Sequence, residues 1–341
     1  MVYDAAMGAT LLYGGNTYDA LYGDTWAFSK TTGWTQLTPA VSPPPLQGAS
    51  MAYDPTSQTV VLFGGSLTRI PAGSGTDSDE TWTWDGVTWT QQFPSVSPSA
   101  RSWNATNGMV FDSQLGKVVL FGGYTARFGM MDDTWEWDGR TKTWTQQFPT
   151  DSPSERVATL AYDEITNTVM LFGGWTNGID YDDTWDGKTQ TWGQQYDPTR
   201  PSTGSAPMAY DEATSTVVLY GGPANNPSEV ETWTYSGVSK SWTQQSPVHS
   251  PPALQQGSMA YDRAIGSVVY FGGFIGGWQD TQNQTWVWNG SDWTQLHPAT
   301  VPGNRYDFAM DYDPINDVIF MFGGYSTGPA LGDTWLLQLQ P

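Results

Sequence analysis

The sequence lacks cysteine altogether and contains only two histidines among its 341 residues. Without cysteine, disulfides, thiolate metal sites and cysteine nucleophiles are excluded. Both histidines, His249 and His297, lie in proline-rich stretches, so a transition-metal site built on imidazole ligands is not expected. We therefore predict that the protein carries no cofactor and no metal centre, while its redox compartment stays open.

Positive charge is also scarce, because 13 Lys and Arg residues stand against 34 Asp and Glu residues, giving 13 − 34 = −21. Such a chain has little from which to build the cationic face that nucleic-acid binding requires. Its longest apolar runs, Val60 to Phe63 and Val318 to Phe322, are far shorter than the roughly 20 residues of a membrane-spanning helix. We expect no nucleic-acid partner and no membrane insertion.

Aromatic residues, by contrast, are abundant: there are 19 Trp, 17 Tyr and 13 Phe, while charged residues make up only 14% of the chain. A disordered chain carries few aromatics and much charge, so this composition indicates a folded protein with an aromatic core.

Four short signatures recur at intervals of about 50 residues, the period of a repeat architecture. A Gly-Gly doublet preceded by an aromatic residue begins at Gly14, Gly64, Gly122, Gly173, Gly221, Gly272 and Gly323. An aromatic-Asp pair precedes each doublet, and a Thr-Trp pair preceded by Asp, Glu or Gln follows it. A strand-like Trp-x-Gln motif closes six repeats, beginning at Trp34, Trp89, Trp144, Trp192, Trp242 and Trp293, and is missing from the seventh.

Each signature has the pattern of a short β-strand. Val60 to Phe63 is a β-branched and aromatic run between turn residues, and Trp82 and Trp84 alternate so that both indoles lie on one face. Turn pairs between the third and fourth strands predict hairpins in which glycine supplies a positive φ. They are Asp85-Gly86, Asp138-Gly139, Asp186-Gly187, Ser236-Gly237 and Asn289-Gly290. The sequence therefore predicts four antiparallel strands per repeat in one domain over residues 1–341, with repeats starting near residues 1, 51, 109, 160, 208, 259 and 310.

These motifs resemble the kelch repeat, which has a similar length, a Gly-Gly doublet after its second strand and a Trp that opens its fourth. The resemblance covers essentially the whole chain, and the sequences of the motifs are most similar to those of prokaryotic kelch proteins. It implies an all-β fold, a seven-bladed kelch β-propeller with four-stranded antiparallel blades, in which blade seven lacks its fourth strand within this chain. A propeller fold does not by itself define a function.

Binding is predicted at one end of the blades, where the loops between strands two and three meet the linkers between repeats. Sixteen of the 19 Trp residues occupy repeat positions and are assigned to packing, which leaves Trp103, Trp175 and Trp278. Aromatic and Arg side chains on loops are common anchors of recognition. The predicted binding residues are Arg69, Trp103, Arg127, Phe128, Trp175, Tyr181, Phe274, Trp278 and Arg305. The alternative is that these side chains cover the blade ends, and that linker Arg residues tie adjacent blades by bonding backbone carbonyls.

No catalytic signature is present. The fold resembles that of galactose oxidase, whose copper centre includes a Cys crosslink that this chain cannot form. Acidic clusters at residues 77–80, 132–133 and 180–183 could hold Ca²⁺, but their spacing is not that of an EF-hand, so no metal site is assigned.

The function expected from the sequence is that of a non-enzymatic extracellular or cell-surface module that binds a protein or a glycan, or assembles with itself. Strong acidity, scarce Lys and three sequons, at Asn104, Asn283 and Asn289, favour that location. Met1 aligns with Met51, so we expect an upstream segment to supply the missing strand of blade seven; alternatively, its open edge joins copies into a homopolymer. A second alternative is a secreted enzyme that acts on polysaccharide through carboxylates in a central funnel.

Overall fold

The structure is a computed structural model, and it describes most of the chain. The described residues are 1–17, 19–68, 76–102, 108–125, 127, 129–163, 165–176, 179–188, 191–195, 199–201, 206–222, 230–254, 256–275, 280–328 and 330–339, without the side chains of residues 158, 175–176 and 179–188. All regular elements in these ranges are β-strands. They contain no helix of the length and apolarity needed to cross a membrane.

The described residues group into two compact units, the first comprising Met1–Ile179 and Asp183–Gln194 and the second Asp180–Asp182 and Gln195–Pro341. In the first unit, blade one contains β1 (Val2–Asp4), β2 (Ala9–Asn16), β3 (Leu21–Ser29) and β4 (Gly33–Leu37). Blade two contains β5 (Ser50–Asp54), β6 (Thr59–Phe63), β7 (Thr81–Trp84) and β8 (Trp89–Gln92). Blade three contains β9 (Met109–Asp112), β10 (Lys117–Thr125), β11 (Gly129–Asp138) and β12 (Thr143–Gln147). Blade four contains β13 (Val157–Asp163), β14 (Thr168–Thr176), β15 (Ile179–Lys188) and β16 (Thr191–Gln195), all in this unit except Asp180–Asp182 and Gln195.

The second unit continues the same order. Blade five contains β17 (Met208–Asp211), β18 (Thr216–Gly221), β19 (Glu231–Ser236) and β20 (Ser241–Gln245). Blade six contains β21 (Ser258–Asp262), β22 (Ser267–Phe271), β23 (Thr285–Trp288) and β24 (Trp293–Leu296). A three-stranded sheet follows, with β25 (Ala309–Asp313), β26 (Val318–Phe322) and β27 (Thr334–Leu337).

Each sheet is an antiparallel meander in which strands adjacent in sequence are paired, the form of a β-propeller blade. The described residues form six complete four-stranded blades rather than seven. The seventh repeat forms only three strands because the chain carries no Trp-x-Gln motif after β27.

The turn between the first two strands of each blade is held by the Asp of the aromatic-Asp signature. In blade two, the Oδ1 atom of Asp54 accepts hydrogen bonds from the Thr56 N–H at 2.8 Å and the Ser57 N–H at 3.4 Å. The chain then takes a left-handed conformation at Gln58, with φ of 55°. Equivalent bonds recur at the Asp residues of the other sheets, namely Asp4, Asp112, Asp163, Asp211, Asp262 and Asp313. A buried carboxylate therefore sets each of these hairpins.

The turn between the third and fourth strands departs from the prediction in some blades. Gly86 and Gly290 have the predicted positive φ, 92° in each case. The prediction is wrong in blades three and five, where Lys142 and Lys240, not Gly139 and Gly237, have the positive φ, at 57° and 54°. In blade three, six residues separate the paired Trp137 and Trp144, two more than separate Trp84 and Trp89 in blade two. The Lys142 N–H closes this longer turn on the Asp138 carbonyl at 2.7 Å, and the left-handed position moves to the residue before β12.

The core between successive blades is built on the tryptophan that opens each fourth strand. Trp89 is buried, donates its indole N–H to the Thr25 hydroxyl of the preceding blade at 2.9 Å, and packs edge-on against Tyr13 at 5.2 Å between ring centroids. The same indole bond joins Trp144 to Thr81, Trp192 to Thr134 and Trp293 to Thr232. The assignment of these tryptophans to packing between blades is confirmed for the described residues.

The three-stranded sheet makes a different aromatic contact with blade six. The ring of Phe271, which precedes the doublet in blade six, packs edge-on against Phe308 at 5.6 Å. Between earlier blades, the aromatic residue before the doublet packs instead against the tryptophan that opens the fourth strand of the next blade.

We predict that Thr81→Val destabilises the protein by about 1–3 kcal/mol, because it leaves the buried Trp144 indole N–H without its acceptor at 2.8 Å. Urea unfolding measures the change. Thr90→Val, at an exposed strand position of the same blade, is the matched control and should alter the free energy of unfolding by less than about 0.5 kcal/mol. Equal effects of the two substitutions would contradict the role given to the indole bond.

Candidate binding surface at the blade linkers

The linkers between blades lie against the loops that follow the Gly-Gly doublets. Isolated bridges pair Gln47 with Ser66, Ser102 with Tyr124, and Tyr306 with Tyr325. In each pair the first residue belongs to a linker and the second to the segment directly after the doublet of the following blade. The two classes of loop thus share one end of these blades, as the sequence predicted, and we call this end the linker surface.

The doublet is glycine because a linker carbonyl approaches it closely. Gly64 and Gly65 have φ values of 72° and 99°, and a Cβ atom on Gly64 would lie 2.5 Å from the carbonyl oxygen of Arg101. The Gly65 N–H donates to that carbonyl at 2.8 Å. The same bond joins Gly15 to Leu46, Gly123 to Arg156, and Gly273 to Arg305. A side chain at the first glycine would displace the linker.

Arg101 is completely buried and connects the linker to the next blade. Its Nε donates to the Ser99 carbonyl at 2.9 Å, and its Nη1 donates to the Gly122 carbonyl at 2.8 Å. Nη1 and Nη2 also form a bidentate pair with the carboxylate of Asp133, at 2.7 and 2.8 Å. Every bond of this guanidinium is therefore structural, with the paired geometry that carboxylates favour.

Arg305 repeats this arrangement in the second unit. It is buried, donates to the Gly303 and Gly323 carbonyls at 3.0 and 2.9 Å, and binds both oxygens of Asp333 at 2.7 Å. Its hydrogen bonds, with that of the Trp335 indole, lower the pKa of Asp333 to about 2. Arg156 likewise donates to the Ser154 and Gly173 carbonyls at 2.9 Å each.

Two other linkers are held without arginine. Leu46 is buried at the place of Arg101, and the hydroxyl of Tyr13 donates toward the Pro43 and Pro44 carbonyls at 2.6 and 2.9 Å. Leu254 repeats this arrangement, with the Tyr220 hydroxyl at 2.5 Å from the Pro251 carbonyl and 3.0 Å from that of Pro252. Burial raises the pKa of both tyrosine hydroxyls, so the proton that each donates is retained.

Sequence reasoning missed these two kinds of linker, although the signal is present. Tyrosine precedes the doublet only at Tyr13 and Tyr220, and those are the repeats whose linkers carry adjacent prolines and then leucine. The other repeats have phenylalanine before the doublet. The hydroxyl would have indicated a carbonyl acceptor in the linker.

The predicted binding residues have different places in the structure. Arg305 is buried in the bonds described above, and Phe274 is buried with its ring edge-on to Tyr306 at 5.5 Å. Both support the alternative in which such residues hold the blade ends together. Arg127 is exposed, in the turn between β10 and β11.

The remaining predicted residues cannot be placed by their side chains. The backbones of Trp175 and Tyr181 lie in β14 and β15, but their side chains are outside the described part. Arg69, Trp103, Phe128 and Trp278 also lie outside the described residues. A binding role for these six remains a prediction.

Two exposed aromatic residues were overlooked. Phe93 and Phe148, which follow the fourth strands of blades two and three, are 82% and 83% exposed. Each lies in a Gln-Gln-Phe-Pro sequence, residues 91–94 and 146–149. The repetition of that tetrapeptide outside the core signatures would have identified them as candidate contact residues.

A metal site or an enzymatic site would require titratable side chains that lie close together. In the described ranges, no three His, Asp or Glu side chains lie close enough together to hold a metal ion. Asp311, in β25, replaces the Ala or Val of the other repeats, and burial raises the pKa of its carboxyl. His249 and Asp292 form a surface pair at 2.8 Å, and the hydrogen bonds from His249 lower the pKa of Asp292.

Comparison with known proteins gives this chain no family: no protein-family model matches it, and no curated protein is significantly similar to it. The kelch resemblance accordingly remains a prediction based on the repeated motifs.

We predict that the stability difference between the wild type and Asp333→Asn depends on pH. Because Arg305 lowers the pKa of Asp333 from 3.8 to about 2, the stabilisation is complete above pH 4 and is lost as the pH falls through about 2. The Asp333 side chain is 44% exposed, so solvent screening limits the expected difference at pH 6 to about 1–2 kcal/mol.

Urea unfolding at pH values from 2 to 6 tests this dependence. Glu155→Gln, at an exposed carboxylate with no ion pair among the described residues, is the control. A difference for Asp333→Asn that persists undiminished at pH 2 would contradict the assignment.

Proposed function

We propose that this protein is a non-enzymatic, kelch-type, seven-bladed propeller of the cell exterior or cell surface, and that it binds another polypeptide chain along β27. The observation that carries the proposal is the outer edge of β27, which pairs with β26 and with no other strand in the described part of the chain. The outer edge of a strand is a template on which another strand can add through backbone hydrogen bonds.

The composition of β27 distinguishes it from the outer strands of the complete blades. The fourth strand β8 reads Trp-Thr-Gln-Gln, and β12 and β20 read the same after one opening residue, so these strands present polar side chains at the edge. β27 reads Thr-Trp-Leu-Leu, and its Leu336 is 41% exposed. Polar residues discourage pairing at an edge, whereas an exposed apolar strand favours it.

The complete blades indicate which strand would fit. Trp89 and Trp293 open their fourth strands opposite the last aromatic residue of the third strand. Trp293 also donates its indole N–H to Thr232 of the preceding blade. In β27, Leu337 takes the place of the last aromatic residue of the third strand. In blade six, the buried Thr285 takes the place of Thr232, and no indole among the described residues donates to it. An extended segment that opens with tryptophan and continues with Thr and Gln is therefore the expected partner.

The finer parts of the proposal rest on the sequence. Seven repeats with kelch-like motifs support seven blades, and the acidity and scarce Lys support an extracellular location. A second copy that supplied the strand would produce a homopolymer, joined through this edge. Glycan binding through Trp103, Trp175 and Trp278 is a separate prediction.

The test uses the intact protein and a labelled peptide, Ser241 to Ser246 of this chain, which has the sequence Ser-Trp-Thr-Gln-Gln-Ser. We expect saturable binding by fluorescence anisotropy and at least tenfold weaker binding to Leu336→Lys, because the substitution adds charge to the edge. Val238→Lys, at a turn residue that is 74% exposed, is the matched control.

Two results would contradict the proposal. One is equal binding of a scrambled peptide, and the other is full affinity in Leu336→Lys. Light scattering of the protein alone across a concentration series separates the two kinds of partner: a rising mass indicates self-assembly, and a constant mass indicates a different chain.

A further inference from the structure

Asp24 occupies in blade one the position that Asp133 and Asp333 occupy in their own sheets. Each of these aspartates lies two residues before a tryptophan and accepts a hydrogen bond from its indole N–H. Asp133 and Asp333 are also bound through both oxygens by an arginine from the linker before their sheet. Asp24 accepts the Trp26 indole N–H at 2.5 Å, and no arginine in the described ranges pairs with it. Its second oxygen has no such donor.

In five of the six repeats that follow a linker, the residue at this position follows the residue of the linker; Glu231, which follows the linker with Arg200, is the exception. The linkers with Arg101, Arg156 and Arg305 are followed by aspartate, at Asp133, Asp183 and Asp333. Where the linker carries Leu46 or Leu254, the position is Glu80 or Gln284, whose side chains accept only the indole of their own blade. Aspartate at this position therefore marks an arginine partner, and Asp24 is aspartate.

The backbone beside Asp24 has the same form as in blade three, where the arginine is bound. Gly14 has φ of 63°, against 60° for Gly122, and the register of each strand shifts at this glycine. The carbonyl of Gly122 accepts the Nη1 of Arg101. Gly14 presents the corresponding carbonyl in blade one.

We propose that Asp24 and the carbonyl of Gly14 form an arginine-binding site that takes the guanidinium of an extended polypeptide segment. The planar guanidinium bonds a carboxylate through two nitrogens and still reaches the carbonyl, as Arg101 does, whereas an ammonium group offers no such fork. The excess of negative charge, −21 overall, favours a cationic ligand. This site is a separate proposal from strand addition at β27, and neither requires the other.

The test uses the intact protein and the capped linker peptide Ser97 to Ser102, Ser-Pro-Ser-Ala-Arg-Ser. Because Asp24 accepts the Trp26 indole N–H, the nuclear magnetic resonance signal of that N–H reports occupancy directly. We expect a saturable shift of this signal, and at least tenfold weaker binding when Leu or Lys replaces the arginine of the peptide.

Two variants of the protein keep the indole bond and change the site. Asp24→Asn retains an amide oxygen for Trp26 but removes the charge, and Asp24→Glu reproduces the residue found after the Leu46 linker. Both should lose the preference for arginine. Glu80→Gln, which alters the equivalent position of blade two, is the matched control and should leave peptide binding unchanged.

The proposal is overturned if the arginine, leucine and lysine peptides shift the Trp26 signal equally or not at all, or if Asp24→Asn binds with full affinity. The source of the arginine is tested by light scattering of the protein alone. An increase in mass with concentration that Asp24→Asn abolishes identifies a second copy, and a mass that stays constant identifies a different polypeptide.

Discussion

The second glycine of a doublet donates its N–H to a linker carbonyl, and the first glycine lets that carbonyl come within reach. The packing of adjacent described blades depends on this contact. It fixes where the linker leaves one sheet and enters the next, and so places the following tryptophan against the aromatic residue of the preceding blade. A Cβ atom at the first glycine would meet backbone rather than a flexible side chain, so the neighbouring linker would have to move.

The side chain at the linker position then stabilises the contact in one of two ways. Arginine uses hydrogen bonds and charge, joining the linker to a carbonyl and a carboxylate of the next sheet. Leucine fills the same position with apolar surface, and a tyrosine from the preceding blade satisfies the proline carbonyls. Both solutions satisfy buried polar groups, which would otherwise cost about 1–3 kcal/mol each. The choice between arginine and leucine involves residues far apart in sequence, because Arg101 pairs with Asp133.

The fold was largely predictable because the repeat positions are dictated locally. Alternating aromatic and β-branched residues specify strands, and glycine doublets specify left-handed turns. Turn details were less predictable: the prediction for Gly139 failed because two extra residues moved the left-handed position to Lys142. The site was predicted only in part. The sequence identified the shared end of loops and linkers, but Arg305 is occupied by structural bonds, and the exposed Phe93 and Phe148 were not singled out.

The sequence by itself determined the strands, their order within each repeat and the assignment of the repeated tryptophans to packing, because these depend on patterns within about 50 residues. The tertiary structure decided which of the predicted binding residues are buried and which are exposed. Arg305 in a linker and Arg127 in a loop after a doublet were both predicted to bind, yet Arg305 is buried between two sheets and Arg127 is exposed. That difference arises from contacts between residues far apart in the chain, which a local pattern does not encode.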